Sequence, residues 1–339
     1  MRPQSSDSPA GKIALPAEPA ALPRASAGLR ALLRRLTLLL DAIREDPRLI
    51  CGVILAVLIV AAIFAPLIAP YPPLRYHPAI AAQPPSAAHW LGTDALGRDQ
   101  LSRVIYGARI SLSVGAGAIL LGGLTGCALG IVAGYRRGWA DQAITIVVDA
   151  LLAFPSLILA LAIAAALGSG VTNVVIALAI VRIPIYVRLA RGQTLQLRSL
   201  DYVTAARAVG TPGWRILVRH IFPNIFSPLL VQATLSISFA ILDESILSFL
   251  GLGAQPPTPE WGTMINDAQP YLTGGTDPWM ILGPALAITI TVLSLNLLGD
   301  SLRDRLDPHT ARQLGASAAV DTALLDLAPE QAQEEATGA

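Results

Sequence analysis

The groups in this chain that could do chemistry are four histidines, two cysteines and a thin scatter of carboxylates, and their spacing is poor for all the usual purposes. His77, His89, His220 and His309 lie too far apart in sequence to resemble a metal-ligand cluster, so no metal site is expected. Cys51 and Cys127 both sit inside apolar runs, which argues against a disulfide framework or a CxxC centre. The single lysine, Lys12, is followed by Ile13 and lacks the glycines of a GxxxxGK[ST] loop, so the chain has no such loop of its own for ATP. Among the carboxylates, Asp149, Asp243 and Glu244 fall within or beside long apolar runs. A proton relay would need carboxylates near the middle of a membrane with a base beside them. None of the three is central and no lysine or histidine accompanies them, so structural or cavity-lining roles are expected. An intramembrane enzyme would need a Ser/His pair, a carboxylate pair or a metal cluster within the runs, and no catalytic residue can be named.

Those apolar runs dominate the chain. Of 339 residues 53% are hydrophobic and only 14% charged, with a mean hydropathy of +0.58. Soluble domains carry nearer a quarter charged residues, so the composition points to a polytopic membrane protein. A net charge of +1 offers no basic surface to nucleic acid. A bilayer core about 30 Å thick needs roughly 20 apolar helical residues. Six segments approach that length: 49–69, 110–134, 144–167, 171–187, 225–250 and 279–298. No strand alternation competes, so the expected class is all-α with six transmembrane helices. The fourth segment is short and carries Arg182, whose head group is expected to extend to the interface.

Arginine placement predicts the orientation. Arg24, Arg30, Arg34, Arg35, Arg44 and Arg48 precede the first segment, and Arg136 and Arg137 follow the second. Six more, Arg188, Arg191, Arg198, Arg207, Arg215 and Arg219, lie between the fourth and fifth, and Arg303 and Arg305 follow the sixth. Segment 251–278 carries Glu260, Asp267 and Asp277 and no basic residue. These counts predict both termini in the cytoplasm. Loop 71–109, with Arg75, Arg98, Arg103 and Arg109 on the outer side, runs against them. Residues 1–48 lack the apolar core of a signal peptide and read as a cytoplasmic tail. Its part 29–48 has apolar residues at helical spacing, suited either to a helix on the inner membrane surface or to a plain lead-in. Residues 307–339 read as a second cytoplasmic tail, and 49–306 as the membrane domain.

Two internal features remain. Gly122, Gly126, Gly130 and Gly134 repeat at a spacing of four in the second segment, marking a face where a neighbouring helix packs closely. The cytoplasmic loop 188–223 is long, basic and patterned as helices. Within it, Asp201 is placed to cap a short helix containing Ala205, Ala206 and Ala208, and Gly210 to end it. Small residues on an exposed helix suit insertion into a groove on a partner.

The pattern Thr204-Ala205-Ala206, then Gly210, then Pro223 thirteen residues later resembles the EAA motif of ATP-binding cassette importer permeases. Three positions depart from it: Thr204 stands where that family usually has Glu, His220 where it often has Ile, and Phe222 where it often has Leu. Segments 89–99, with Ser102-Arg103 and 107–112, resemble the C-type permease of dipeptide, oligopeptide and nickel importers. Arg207-Ala-Val-Gly210, 220–224, 244–253 and 256–262 are similar to the same group, and the likeness runs from about 49 to 308.

This resemblance implies the six-helix fold of type I importer permeases. It implies a second, B-type permease that completes the pathway in the lipid bilayer, and two ATP-binding cassette subunits docked beneath. An extracytoplasmic solute-binding protein would deliver substrate to the outer loops. ATP would be bound by the partner subunits, leaving this chain without a cofactor and without enzymatic activity. Asp201, Thr204, Ala205, Ala206, Arg207, Gly210 and Pro223 would belong to the loop that couples to the ATPases. The location implied is the bacterial inner membrane. Peptides are the leading substrate; nickel, glutathione or another small solute is the alternative within the family. From another class, an ATP-independent carrier would have no reason to hold the Thr204–Pro223 pattern.

Overall fold

The computed structural model describes residues 47–273 and 277–306. Most of the expected N-terminal tail with its surface helix, the tail from 307 onward and His309 lie outside the described residues. The described chain is helical: α1 (Pro47–Ile63), α2 (Ala65–Ile68), α3 (Gln100–Arg136), α4 (Trp139–Leu152), α5 (Ser156–Leu167), α6 (Val171–Arg198), α7 (Asp201–Ala208), α8 (Gly213–Ile216), α9 (Phe222–Phe249), α10 (Trp261–Thr273) and α11 (Trp279–Leu306). A π-helical turn, Leu217–Ile221, joins α8 to α9, and a 3₁₀ turn, Pro78–Ile80, interrupts the first loop.

Among these, α3, α6, the continuous run Gly213–Phe249 and α11 are each long and apolar enough to cross a bilayer. The segment expected as a span over 144–167 is not one continuous helix. That stretch is α4 followed by α5, bent by 93° at the break. Pro155 explains it: the ring restricts Phe154 and removes a backbone donor, so the helix stops and restarts at Ser156. Counting the bent pair as one span gives five. The first expected span, 49–69, is also interrupted: α1 ends at Ile63, and Phe64, at φ −94° and ψ 19°, separates it from the single turn of α2. Four to five candidate spans therefore stand where sequence predicts six.

The fourth span is longer than expected. α6 continues from Val171 to Arg198, so it would rise about 42 Å, well beyond a bilayer core. The expected loop 188–223 shrinks accordingly, because Arg188, Arg191 and Arg198 are on α6 and the run leading into α9 begins at Gly213, with only the short α7 between them. Arg188 pairs with Asp149 of α4 at 2.8 Å, and Arg191 pairs with Asp141 through Nε at 2.6 Å and Nη2 at 2.9 Å. Arg182 does not extend alone to an interface: its guanidinium is bonded to Asp243 of α9. Two of the three carboxylates singled out from sequence, Asp149 and Asp243, thus have arginine partners on α6, whereas Glu244 accepts from Ser248 Oγ at 3.1 Å.

α3 packs most extensively on α6. The reason is the period of four: a Cβ built on Gly122 would lie 2.5 Å from the Ala179 carbonyl oxygen, on Gly126 2.6 Å from that of Ile183, and on Gly130 2.5 Å from that of Val187. On Gly134 it would lie 2.8 Å from Thr194 Cβ. No side chain fits along this line, and the two backbones approach as closely as glycine allows. Leu120, Leu121 and Leu124, on other faces of α3, remain exposed, as membrane-facing or partner-facing side chains would be.

The segments 70–99 and 251–273 fold onto the helix ends. Asp99 caps α3, its Oδ2 accepting from Ser102 N at 2.8 Å and Ser102 Oγ at 2.7 Å. Glu260 serves the start of α10, accepting from Gly262 N at 2.6 Å and Thr263 N at 2.9 Å. Trp261 is fully buried and its Nε1 donates to the Val104 carbonyl at 3.0 Å, fixing α10 against α3.

Candidate functional site

Between the long helices α6 and α9 lies the stretch 199–212, and its short helix α7 holds most of the residues singled out from sequence. Its start differs from expectation. Leu200, in extended conformation, is the N-cap, and Asp201 is the first helical residue without a capping bond. The carboxylate still stands at the positive end of the helix, where it interacts favourably with the unsatisfied N–H groups.

The other end is closed by a Schellman turn. Thr211 N donates to the Ala206 carbonyl at 3.0 Å and Gly210 N to that of Arg207 at 2.9 Å. Gly210 adopts φ +78°, and nothing lies within 4 Å of a Cβ built there. Backbone conformation, not crowding, therefore makes glycine the suitable residue. Pro212 caps α8, and the chain turns back into the bundle.

One face of α7 is anchored. Val203 is fully buried in a cluster with Ile216, Ile221 and Ile225. Arg207 lies with its guanidinium 5.3 Å from the ring centre of Tyr135, at the end of α3. Arg198, at the end of α6, lies 5.8 Å from the same ring and donates through Nη1 to the Tyr135 carbonyl at 2.7 Å. Tyr135 thereby ties α3, α6 and α7 together through cation–π contacts. Arg207 points inward to this joint, although its place in the motif suggests no such contact.

The opposite face is open. Thr204, Ala205, Ala208 and Gly210 are exposed, as is Pro223 beyond the π turn. Around them stand large apolar side chains in the open: Val209 is 81% exposed, Trp214 63% and Val218 63%, with Leu200 and Tyr202 above 40%. The π turn precedes Pro223, which cannot donate to the preceding turn; the wider helix accommodates its ring. Asn224 Nδ2 donates to the His220 carbonyl at 2.6 Å. The small-residue helix is thus rimmed by exposed large apolar side chains.

At the other end of the bundle is a set that sequence reading missed as a unit. Arg98 Nε bonds Asp94 Oδ2 at 2.5 Å, and Arg103 Nε lies 3.4 Å from the same oxygen. Asp94 Oδ1 also accepts from the backbone N–H groups of Leu96 and Arg98, both at 2.9 Å. Asp267 of α10 lies 3.8 Å from Arg98 Nη2 and 4.0 Å from Arg103 Nη2. Burial holds the Asp267 carboxyl above its usual range, against the pull of the two arginines. Two arginines of the anomalous outer loop are thus buried and paired. The only signal in the sequence was the co-occurrence of Arg98 and Arg103 with acids in two separate outer segments, which spacing alone cannot join.

With this geometry in place, the likenesses to known proteins can be stated. Residues 126–312, more than half of the chain, match the family described as binding-protein-dependent transport system inner membrane component. Residues 47–85 match the N-terminal TM domain of oligopeptide transport permease C. The chain is 46% identical over 267 residues to the glutathione transport system permease protein GsiD of Pectobacterium atrosepticum, covering 78% of this chain and 88% of that one. It is 45% identical over 256 residues to the dipeptide transport system permease protein DppC of Alkalihalophilus pseudofirmus, covering 76% and 84%. The di/tripeptide transport system permease protein DppC of Pseudomonas aeruginosa is 47% identical over 76% of this chain and 86% of its own. In fold, the chain resembles a chain of the inward-facing MetNI methionine ABC transporter, with a TM-score of 0.50 at 15% identity, covering 60% of this chain and 96% of that one. Matched along most of its length by sequence, the chain belongs to the family of binding-protein-dependent transport system inner membrane components.

Proposed function

We propose that this chain is the C-type permease subunit of an ATP-driven importer of short peptides, in the inner membrane of a bacterium with both termini in the cytoplasm. It pairs with a B-type permease to enclose the pathway, two ATPase subunits dock on α7 and α8, and an extracytoplasmic binding protein delivers substrate to the other end. Six spans follow if α1 with α2 and the bent pair α4–α5 each cross the membrane.

The observation that carries this reading is the pairing of opposites on α7: a face of buried Val203 and half-buried Arg207, tied to the ends of α3 and α6, and an exposed face of small and apolar residues. Such a helix can take up a push from a partner and pass it to two long helices as a rigid unit. Closure of the ATPase pair on ATP would move α7, and the α3–α6 pair with it, turning the cavity outward; hydrolysis would reset it. The chain has no GxxxxGK[ST] loop, so the nucleotide chemistry belongs to the partners. Peptide cargo is supported by relatives whose names divide between dipeptide and glutathione systems, glutathione being itself a tripeptide.

Gentle detergent extraction from the native membrane, followed by mass spectrometry of what stays bound, tests the assembly. A second permease and one or two P-loop ATPases are the expected companions. Recovery of this chain alone, as an oligomer that moves solute without ATP, would overturn the reading.

A further inference from the structure

Beneath the outer loops is a cavity of about 420 Å³, lined by Tyr76, Asp94, Arg98, Gln100, Arg103 and Asp267 among others. Its volume lies within the range of small-molecule sites. Arg98 and Arg103 are both almost fully buried, yet the carboxylate they share from α10 is not hydrogen-bonded to either: 3.8 and 4.0 Å exceed the reach of a hydrogen bond. The Asp267 side chain is 52% exposed, whereas those of Arg98 and Arg103 are 6% and 3%. Two guanidinium Nη2 atoms therefore converge on a half-exposed carboxylate without closing on it, where guanidinium–carboxylate pairs normally close to about 2.7–2.9 Å.

A second, independent feature points into the same space. Gln100 is 2% exposed, its Nε2 donates to the Met280 carbonyl at 3.4 Å, and its Oε1 accepts from nothing. A buried acceptor without a donor is costly, and this one lines the cavity.

We infer that this cavity is a binding site for a carboxylate that carries an N–H group nearby, the carboxylate replacing Asp267 across the Nη2 atoms of Arg98 and Arg103 and the N–H donating to Gln100 Oε1. The chemistry is that of a peptide chain end or of an acidic side chain beside its own backbone. It can come from a free peptide or from the surface of the delivering protein, and in either case the inference rests on the importer reading, which puts this end of the bundle outside. Asp267 acts as an internal competitor: it neutralises the arginines while the site is empty and swings out when the ligand arrives.

The test uses the whole complex in lipid nanodiscs and a direct binding measurement by calorimetry, independent of ATP hydrolysis. The probes are N-acetyl-alanyl-alanine and its C-terminal amide. Arg98→Ala and Arg103→Ala remove buried ion pairs and would unfold the outer cap, so the informative variants are Asp267→Asn and Gln100→Met, both similar in shape to the native residue. For a free ligand, the acid binds at least ten-fold more tightly than the amide, Asp267→Asn tightens it a further three-fold or more, and Gln100→Met weakens it. If the site takes a carboxylate from the delivering protein, the free acid does not bind, and Asp267→Asn instead tightens docking of that protein. Acid and amide bound equally, or both binding measurements indifferent to Asp267→Asn, would overturn the inference. Failure of the importer reading is separate, since it would appear as missing ATPase partners whatever the probes do.

Discussion

At the scale of single residues, two positions carry most of the argument. Gly210 closes α7 at φ +78°, a conformation that costs a residue with a Cβ about 1–2 kcal/mol. Gly210→Val should fray the last turn of α7 and displace Val209 and Thr204 from a partner's groove. The expected result is an assembled complex whose ATP hydrolysis responds several-fold less to loaded binding protein. Gly210→Asn should keep most of the response, because asparagine tolerates the left-handed region. Full stimulation in Gly210→Val would remove α7 from the coupling path. The second position is the Arg182–Asp243 pair between α6 and α9, mostly withdrawn from solvent. Breaking a buried pair from one side costs roughly 3–5 kcal/mol because it strands a charge, whereas removing both partners costs less. Asp243→Asn should therefore lower the unfolding temperature of the complex more than Arg182→Gln combined with Asp243→Asn does. A double variant as unstable as the sum of its singles would mean that the two groups do not act as a pair.

At the scale of elements, what hydropathy can read is apolar length, and α3, α6, α9 and α11 each cover one of the expected apolar runs, although α3 and α6 extend about ten residues beyond theirs. Hydropathy does not register backbone hydrogen bonding. The run 144–167 is apolar throughout, so it reads as one span, and only Pro155 betrays the 93° bend. Ion-pair partners were illegible for another reason: Arg182 and Asp243 are 61 residues apart, and no local rule joins them. The start of α7 fails by one residue, since Asp201 suits a cap by type but Leu200 occupies that position. Glycine periodicity is more informative because it is local, and it marks the face of α3 that α6 covers. That contact predicts a contrast between two equally simple substitutions. Gly126→Ala would drive a Cβ to 2.6 Å from the Ile183 carbonyl oxygen, forcing the helices apart at a cost of about 1–3 kcal/mol. Gly52→Ala, on α1 with nothing within 4 Å, should be neutral or stabilising by up to about 1 kcal/mol. Thermal unfolding of the two purified variants measures the difference; equal midpoints would mean that α3 and α6 have room to separate.

At the scale of the whole molecule, the direction of work depends on which end of the bundle faces the cytoplasm. Arg198 of α6 and Arg207 of α7 meet at Tyr135 at the end of α3, a concentration of positive charge that the positive-inside rule expects of a cytoplasmic face. The apparent exception, the first outer loop, loses much of its weight once Arg98 and Arg103 are seen to be buried and matched by Asp94 and Asp267. They are structural charges inside a folded cap, not free positive charge at a membrane surface. Orientation can then be measured with two exposed tryptophans at opposite ends, Trp90 at 72% and Trp214 at 63%. In a background with Cys51 and Cys127 replaced by serine, Trp90→Cys should react with a membrane-impermeant maleimide on spheroplasts. Trp214→Cys should react only after the membrane is opened, and more slowly while the ATPase partners remain bound, because that side chain lies on the face they would cover. The inverted pattern would place α7 on the outside, where no ATPase could reach it, and with it would fall both the docking role of that helix and the delivery role of the cavity at the other end.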